Sequence, residues 1–202
     1  MIIMKKIFQI IGIIFVIAII GIGALLIKGP ADPIVLTPEE EVQQQEEESE
    51  KYSNIDLSGF KAETITGQSV TSDYFKDYDI TMINLWTTSC GPCIEEMPDI
   101  AELYKTKPDN TNIISICVDL ADNKKELKFA NKVMKDSKAE FITLIPDGVL
   151  REKLTDNVQI FPTTIFVDRD GKTVGTPHFG GRSAADYRKA ILDRVKLVSE
   201  TK

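Results

Sequence analysis

The chain has 202 residues, 43% of them hydrophobic, and its 31 acidic and 24 basic side chains leave a formal charge of −7. That length supports one ordinary domain with its own core. A single apolar run of spanning length excludes a multi-span transporter, and the mildly acidic remainder, without a basic stripe, excludes a nucleic-acid binder.

In chain order the first feature is Ile7 to Ile27, 21 residues without charge and with Gln9 as their one polar side chain. As a helix the run measures roughly 31 Å, enough to cross a bilayer core. It exceeds the usual signal-peptide core of about 7–15 residues, and no clear small-x-small cleavage site follows it. Residues 1–28 are therefore read as a retained single-pass anchor in the cell membrane. Lys5 and Lys6 precede the span and a block of acids follows it, so the positive-inside rule keeps the N-terminus cytoplasmic and places the rest outside the cytoplasm. Residues 29–52 open with Pro30, Pro33 and Pro38. Between Gly29 and Lys51 they set eight acids against one lysine. Such a composition buries no core and reads as a solvated tether with a reach of about 25 Å. Residues 53–202 form the expected folded domain.

Within that domain, Gly59 to Val70 with Thr66-Gly67-Gln68 at its middle predicts a leading β-hairpin. Three runs rich in β-branched and aromatic residues predict buried strands at Thr81–Trp86, Ile113–Val118 and Thr163–Val167. Asp168-Arg169-Asp170-Gly171-Lys172 predicts a hairpin turn and an antiparallel strand from Thr173 to Phe179. Helices are expected over about 91–106, 122–137, 148–156 and 183–199. In the last, Ala184, Tyr187, Ile191, Val195 and Val198 fall at helical spacing behind Ser183 as N-cap. The order predicts an α/β domain with a mixed central sheet and helices on both faces.

Of three cysteines, two form Cys90-Gly91-Pro92-Cys93 directly after a predicted strand. That placement puts Cys90 at a helix N-terminus, where free N–H groups and the dipole favour a thiolate. Pro92 suits the first helical turn, where its missing N–H had no partner. Two intervening residues bring the sulfurs within disulfide reach, with Cys93 the more buried. A CxxC is also half of a zinc site, but a structural site needs four ligands and the remainder offers only Cys117 and His178. Cys117 lies in an apolar strand and reads as a small core residue.

The run Asn84-Leu85-Trp86-Thr87-Thr88-Ser89-Cys90-Gly91-Pro92-Cys93-Ile94-Glu95-Glu96-Met97-Pro98 resembles thioredoxin-like proteins. It is most similar to the membrane-anchored thiol–disulfide oxidoreductases of the TlpA/ResA type. A second matching signature is Phe161-Pro162-Thr163-Thr164 before Ile165-Phe166-Val167-Asp168. The resemblance covers about residues 55–199 and implies a thioredoxin fold with an extra N-terminal hairpin. It also implies that Cys90 is the attacking nucleophile and Cys93 the resolving thiol. Pro162 is then a cis-proline beside the dithiol, flanked by Phe161 and Thr163, whose backbone meets an extended substrate segment. Trp86, Gly91 and Pro92 complete the implied substrate surface. Glu96 matches an acid placed near the dithiol, and Pro98 matches a proline in the active-site helix. Position 84 holds Asn where cytosolic thioredoxins carry a buried Asp, which leaves Glu96 as the candidate for proton handling. Three residues after Cys93 on a helix, Glu96 shares its face, whereas Glu95 is expected to face solvent. Ser89 stands where thioredoxins carry a second Trp.

These readings converge on an extracytoplasmic protein disulfide reductase cycling through Cys90–Cys93, with no cofactor beyond that dithiol. The expected partners are a disulfide-containing protein substrate and a CcdA-like membrane electron donor, and the chain is expected to act as a monomer. Family substrates include apocytochrome c disulfides and spore-related proteins. A disulfide oxidase or isomerase is the alternative within the same chemistry. Another is a Sco-like copper chaperone using Cys90, Cys93 and His178, although such chaperones carry CxxxC. Thr87 to Cys90 contains the TxxC of peroxiredoxins, but Ile83 stands where they carry proline.

Overall fold

The computed structural model describes Gln43 and residues 46–120 and 124–200. The readings of Ile7–Ile27 as a spanning helix and of residues 29–42 as tether lie outside the described residues. Among the described residues no helix is long and apolar enough to cross a membrane.

The sheet is built around β3 (Ile80–Trp86) and β4 (Thr111–Cys117), both buried along their whole length. Two covered faces explain their unbroken burial, in contrast to the alternation of a half-exposed strand. Their register is parallel, from Ile80 opposite Thr111 to Trp86 opposite Cys117. Helix α1 (Gly91–Thr106) connects them. Helix α2 (Lys124–Asp136) then leads to β5 (Thr143–Ile145), parallel to β4 on its far side. Both crossovers step the same way across the sheet, so right-handed connections put α1 and α2 on one face. Before this unit lie β1 (Lys61–Thr64) and β2 (Ser69–Thr71), an antiparallel hairpin that pairs through β1 with β5. After it come α3 (Gly148–Lys153), β6 (Thr163–Val167) and β7 (His178–Phe179), then α4 (Ala184–Glu200). The seven strands run in the order β2-β1-β5-β4-β3-β6-β7.

Each sheet face has its own core. On one, Ile80, Met82, Trp86, Ile113, Cys117 and Phe166 pack under α1, α2 and α4. On the other, Ile83, Leu85, Ile114, Ile116, Ile165 and Val167 meet Leu57, Phe60 and Phe75 of the N-terminal segment and Leu150 of α3. Alternate residues of β3, β4 and β6 thus point to opposite faces, with both sets buried as the sequence predicts. Phe166 is 1% exposed and lies under the Arg194 guanidinium at 4.4 Å, with the His178 ring edge-on at 5.6 Å. Phe166→Ala should cost about 3–5 kcal/mol of stability in urea unfolding, through a cavity and a lost cation–π partner. A loss below about 1 kcal/mol would show instead that α4 collapses into the space.

Four elements differ from expectation. The predicted strand Thr173–Phe179 is broken: Thr173 forms only an isolated bridge to Val167, and regular pairing resumes at His178. Between them Gly175 takes a φ of +70°, and Pro177 has no N–H to give a ladder. Strand β5 was not foreseen, being three residues long; only its pairing with β1 and β4 makes it a strand. The predicted helix 148–156 ends at Lys153 and continues as a 3₁₀ turn over Thr155–Asn157. Residues 46–50, read as solvated, form a helical turn, and Tyr52 is 2% exposed, edge-on to Phe179 at 5.9 Å. An aromatic ring with an apolar site within reach outweighs the polarity of its neighbours.

Candidate active site

The chain leaves β3 at Trp86 and enters α1 at Gly91, so the loop between them sits at the end of the central strand pair. Cys90 is the N-cap of α1, and its sulfur accepts a hydrogen bond from the Cys93 backbone N–H at 3.2 Å. The two cysteines are joined as a disulfide with their Cα atoms 5.3 Å apart. Cys93 is fully buried whereas Cys90 keeps part of its surface, and Gly91 and Pro92 are exposed. The accessible sulfur is thus the one at the helix N-terminus, where the dipole stabilises negative charge. Pro98, inside α1, removes the N–H that would otherwise bond the carbonyl of Ile94.

The loop is tied down behind the dithiol. The Thr88 backbone N–H donates to both carboxylate oxygens of Asp119, at 3.1 and 2.9 Å. The Thr88 hydroxyl lies 2.6 Å from Asp119 Oδ2 and 2.7 Å from Glu126 Oε2. Cys117 is a free, buried thiol that donates to Asp119 Oδ1 at 3.2 Å. Burial, and then the Asp119 charge, push its pKa far above the ordinary thiol range. A thiol held neutral in a core is inert as a nucleophile.

The Phe161–Pro162 peptide bond is cis. Thr163 pairs with Leu85, so Pro162 and the dithiol loop emerge at the same end of neighbouring strands. Phe161 is half-buried and packs against both cores. Thr163 requires a correction: it has no exposed surface, its hydroxyl donates back to the Ile160 carbonyl at 2.7 Å, and its backbone lies between Leu85 of β3 and Phe179 of β7, so it offers nothing to a substrate. Trp86 requires a correction: it has no exposed surface, and its indole N–H donates to Ser115 Oγ at 3.3 Å. The ring lies in the same buried core as Cys93 and offers nothing to a substrate.

Beneath the dithiol lies a buried carboxyl. Glu96 is 5% exposed although it sits on the second turn of α1, while Glu95 faces solvent. Its Oε1 accepts from Asn84 Nδ2 at 2.8 Å. Its Oε2 accepts from the Tyr187 hydroxyl at 2.8 Å and from the Arg182 backbone N–H at 3.2 Å. Burial holds its pKa above the ordinary carboxylate range, against the opposing pull of those three donors. A buried carboxyl with a raised pKa, one helical turn from a buried thiol, is equipped to accept that thiol's proton. Close backbone passage is required here, because a Cβ on Gly181 would come 3.3 Å from Glu96 Oε2.

Tyr187, Thr164 and the Arg182 N–H were not foreseen as members of this site. Tyr187 was visible only as a helical core position; the usable signal was that a buried tyrosine needs a partner for its hydroxyl. His178 lies on β7 next to Arg194, with Nε2 3.4 Å from Arg194 Nη2. Burial first, then the Arg194 and Arg182 cations, lower its pKa to about 4. Among the described residues no three His, Cys, Asp or Glu side chains are grouped to hold a metal ion. The trio Cys90, Cys93 and His178 is therefore not brought together as the copper-binding alternative requires.

A family model described as AhpC/TSA matches residues 56–175. The thiol-disulfide oxidoreductase ResA of Bacillus thuringiensis subsp. konkukian is 32% identical over 116 residues, which are 57% of this chain and 63% of that protein. A ResA of Bacillus cereus is 36% identical over 95 residues, 46% of this chain and 50% of that one. The chain thus spans less than two thirds of the length of these curated relatives. Among solved structures, a thiol:disulfide interchange protein of the thioredoxin family from Chlorobium tepidum TLS superposes with a TM-score of 0.58 at 20% identity. That alignment covers 70% of this chain and 97% of the other. StoA from Bacillus subtilis superposes with a TM-score of 0.52 at 18% identity, covering 64% and 93%. These two likenesses establish the thioredoxin-like α/β fold.

Proposed function

Because this chain belongs to the AhpC/TSA family, whose thioredoxin-like fold it shares, we propose that it is a thiol–disulfide oxidoreductase that reduces protein disulfides through Cys90 and Cys93. The observation that carries the reading is the disulfide at the start of α1, with one sulfur accessible at the helix N-terminus and the other buried one turn from Glu96. In the reductive cycle the Cys90 thiolate attacks a substrate disulfide, forming a mixed disulfide and expelling one substrate thiolate. Cys93 gives its proton to Glu96 and attacks the Cys90 sulfur. The Cys90–Cys93 bond forms, the mixed disulfide breaks, and the second substrate thiolate leaves. Two electrons pass from the dithiol to the substrate. The exposed Gly91-Pro92 turn and the half-buried Phe161, just before the buried Pro162, form the surface on which an extended substrate segment would lie.

The oxidised form needs a reductant of its own. An apolar run following Lys5 and Lys6, with acids after it, supports a membrane-anchored domain outside the cytoplasm. A CcdA-like membrane carrier then supplies electrons, and tethering raises the domain's effective concentration beside it. Apocytochrome c disulfides are one class of substrate compatible with this cycle. The peroxidase reading is opposed by Ile83, which stands seven residues before Cys90 where peroxiredoxins carry proline.

The direction of electron flow is tested by the reduction potential of the purified chain in thiol buffers, read through Trp86, which packs in the same core as Cys93. The expected potential lies below about −230 mV, near that of thioredoxin. A value near −180 to −120 mV would reverse the assignment to an isomerase or oxidase.

A further inference from the structure

The donors around Glu96 form a closed circuit drawn from four elements. Asn84 on β3 uses both amide hydrogens, one to Glu96 Oε1 at 2.8 Å and one to Thr164 Oγ1 at 3.3 Å. The Thr164 hydroxyl on β6 donates to the Tyr187 oxygen at 3.3 Å, and Tyr187 on α4 donates to Glu96 Oε2 at 2.8 Å. Every hydrogen in the circuit therefore points toward the carboxyl on α1. None of the four side chains is more than 5% exposed, and the one side-chain polar atom among them without a partner is Asn84 Oδ1, so a lost donor or acceptor here is costly.

Two members of this circuit are hydroxyls, and each can either donate or accept along the same line. With Glu96 ionised, Thr164 donates to Tyr187 and Tyr187 donates to Oε2. With a proton on Oε2, that oxygen donates to Tyr187, Tyr187 turns its hydrogen to Thr164, and the Thr164 hydrogen turns to a new acceptor, for which the otherwise unpartnered Asn84 Oδ1 is available. Asn84 keeps both of its bonds in either state. Only hydrogens move.

We propose that Tyr187, supported by Thr164, is a positioning residue that lets the buried Glu96 carboxyl take up and release the Cys93 proton without displacing any heavy atom. The inference rests on Glu96 receiving that proton. The charged and titratable groups around the carboxyl are few. Asp99 lies on the same helix, Arg182 contributes its backbone N–H from the connection before α4, and Cys93 sits one turn back on α1. From the sheet, β3 and β6 bring only the neutral Asn84 and Thr164, and His178, the cross-strand neighbour of Thr164 on β7, is uncharged near neutral pH. Tyr187 itself stays protonated, since burial and then the Glu96 charge push its pKa far up.

The test uses the full chain with a preformed Cys90–glutathione mixed disulfide and follows glutathione release by Cys93 across pH. The parent should show a step in rate as Glu96 ionises. Tyr187→Phe removes a donor to the carboxylate, so the midpoint should move up by about one pH unit, with roughly tenfold slower release below it and parental rates well above it. Thr164→Val should move it the same way by less. It also provides the measurement if the phenylalanine variant fails to fold, and the ¹³C shift of the Glu96 carboxyl can be titrated directly in either. A merely structural role for Tyr187 would lower the melting temperature and leave the midpoint in place. If both variants keep the parental midpoint while Glu96→Gln abolishes the step, the role of Tyr187 is overturned and that of Glu96 stands. If Glu96→Gln leaves the step unchanged, both are overturned.

Discussion

Replacing Cys93 with serine should convert the protein from a catalyst into a trap. Cys90 keeps its place at the N-terminus of α1 and its accessible surface, so attack on a substrate disulfide proceeds. The second attack has no thiol to make it, and the mixed disulfide accumulates at about one equivalent per chain. Insulin reduction in the presence of dithiothreitol should fall to the uncatalysed rate, and non-reducing gels of cells making the variant should show discrete adducts that dithiothreitol releases. Cys90→Ser should also abolish turnover but trap nothing, because Cys93 is fully buried and cannot reach a substrate sulfur. This asymmetry is the decisive part of the experiment. Equal trapping by the two variants would mean that the roles of the sulfurs are reversed. Retained turnover in either would mean that the dithiol is not the reacting centre. Cys117, buried and bonded to Asp119, should be silent in both tests.

The second large effect is expected at Glu96. Glutamine keeps the size and the hydrogen bond from Asn84 but cannot accept a proton, so Glu96→Gln should slow resolution of the mixed disulfide about a hundredfold near neutral pH. Formation of the mixed disulfide by Cys90 should change little. The same substitution has a consequence for stability whose sign follows from the raised pKa. A carboxyl with a higher pKa in the folded state binds its proton more tightly there than in the unfolded chain. The stability this contributes is fully present below the ordinary carboxyl pKa and is lost as pH rises through the raised folded value. Urea unfolding of the parent should therefore weaken across that interval, and the glutamine variant should lack this component. Unchanged resolution kinetics together with a parental pH profile of stability would remove Glu96 from both roles.

Much of the site was legible from local sequence. A hydrophobic strand ending at Trp86, two cysteines three residues apart and a proline between them specify an N-capped helix carrying a dithiol, because each of those signals acts over a single turn. The same holds for the central strands. Residues 80–86 and 111–117 are apolar on both faces, and no pairing partner needs to be known to recognise them as buried. Glu96 was marked by its spacing from Cys93, which places it on the right face of α1, and Asn84 by its departure from the thioredoxin pattern.

The rest depended on where distant segments meet. β5, with three residues, has no intrinsic signal, and it exists because β1 and β4 flank it. Tyr52 belongs to a stretch whose composition reads as solvated, and only Phe179, far along the chain, gives its ring a place to go. Trp86 carried a substrate-facing assignment until three-dimensional packing enclosed it. The circuit around Glu96 shows the division most plainly, since its bonds join residues 12, 80, 23 and 91 positions apart. Sequence alone determined which residues form the dithiol at the start of α1, because a helix cap and a strand end are set by neighbours along the chain. Tertiary structure decided how the buried Glu96 carboxyl is held, because a carboxyl under a core takes its pKa and its donors from whatever the fold packs around it.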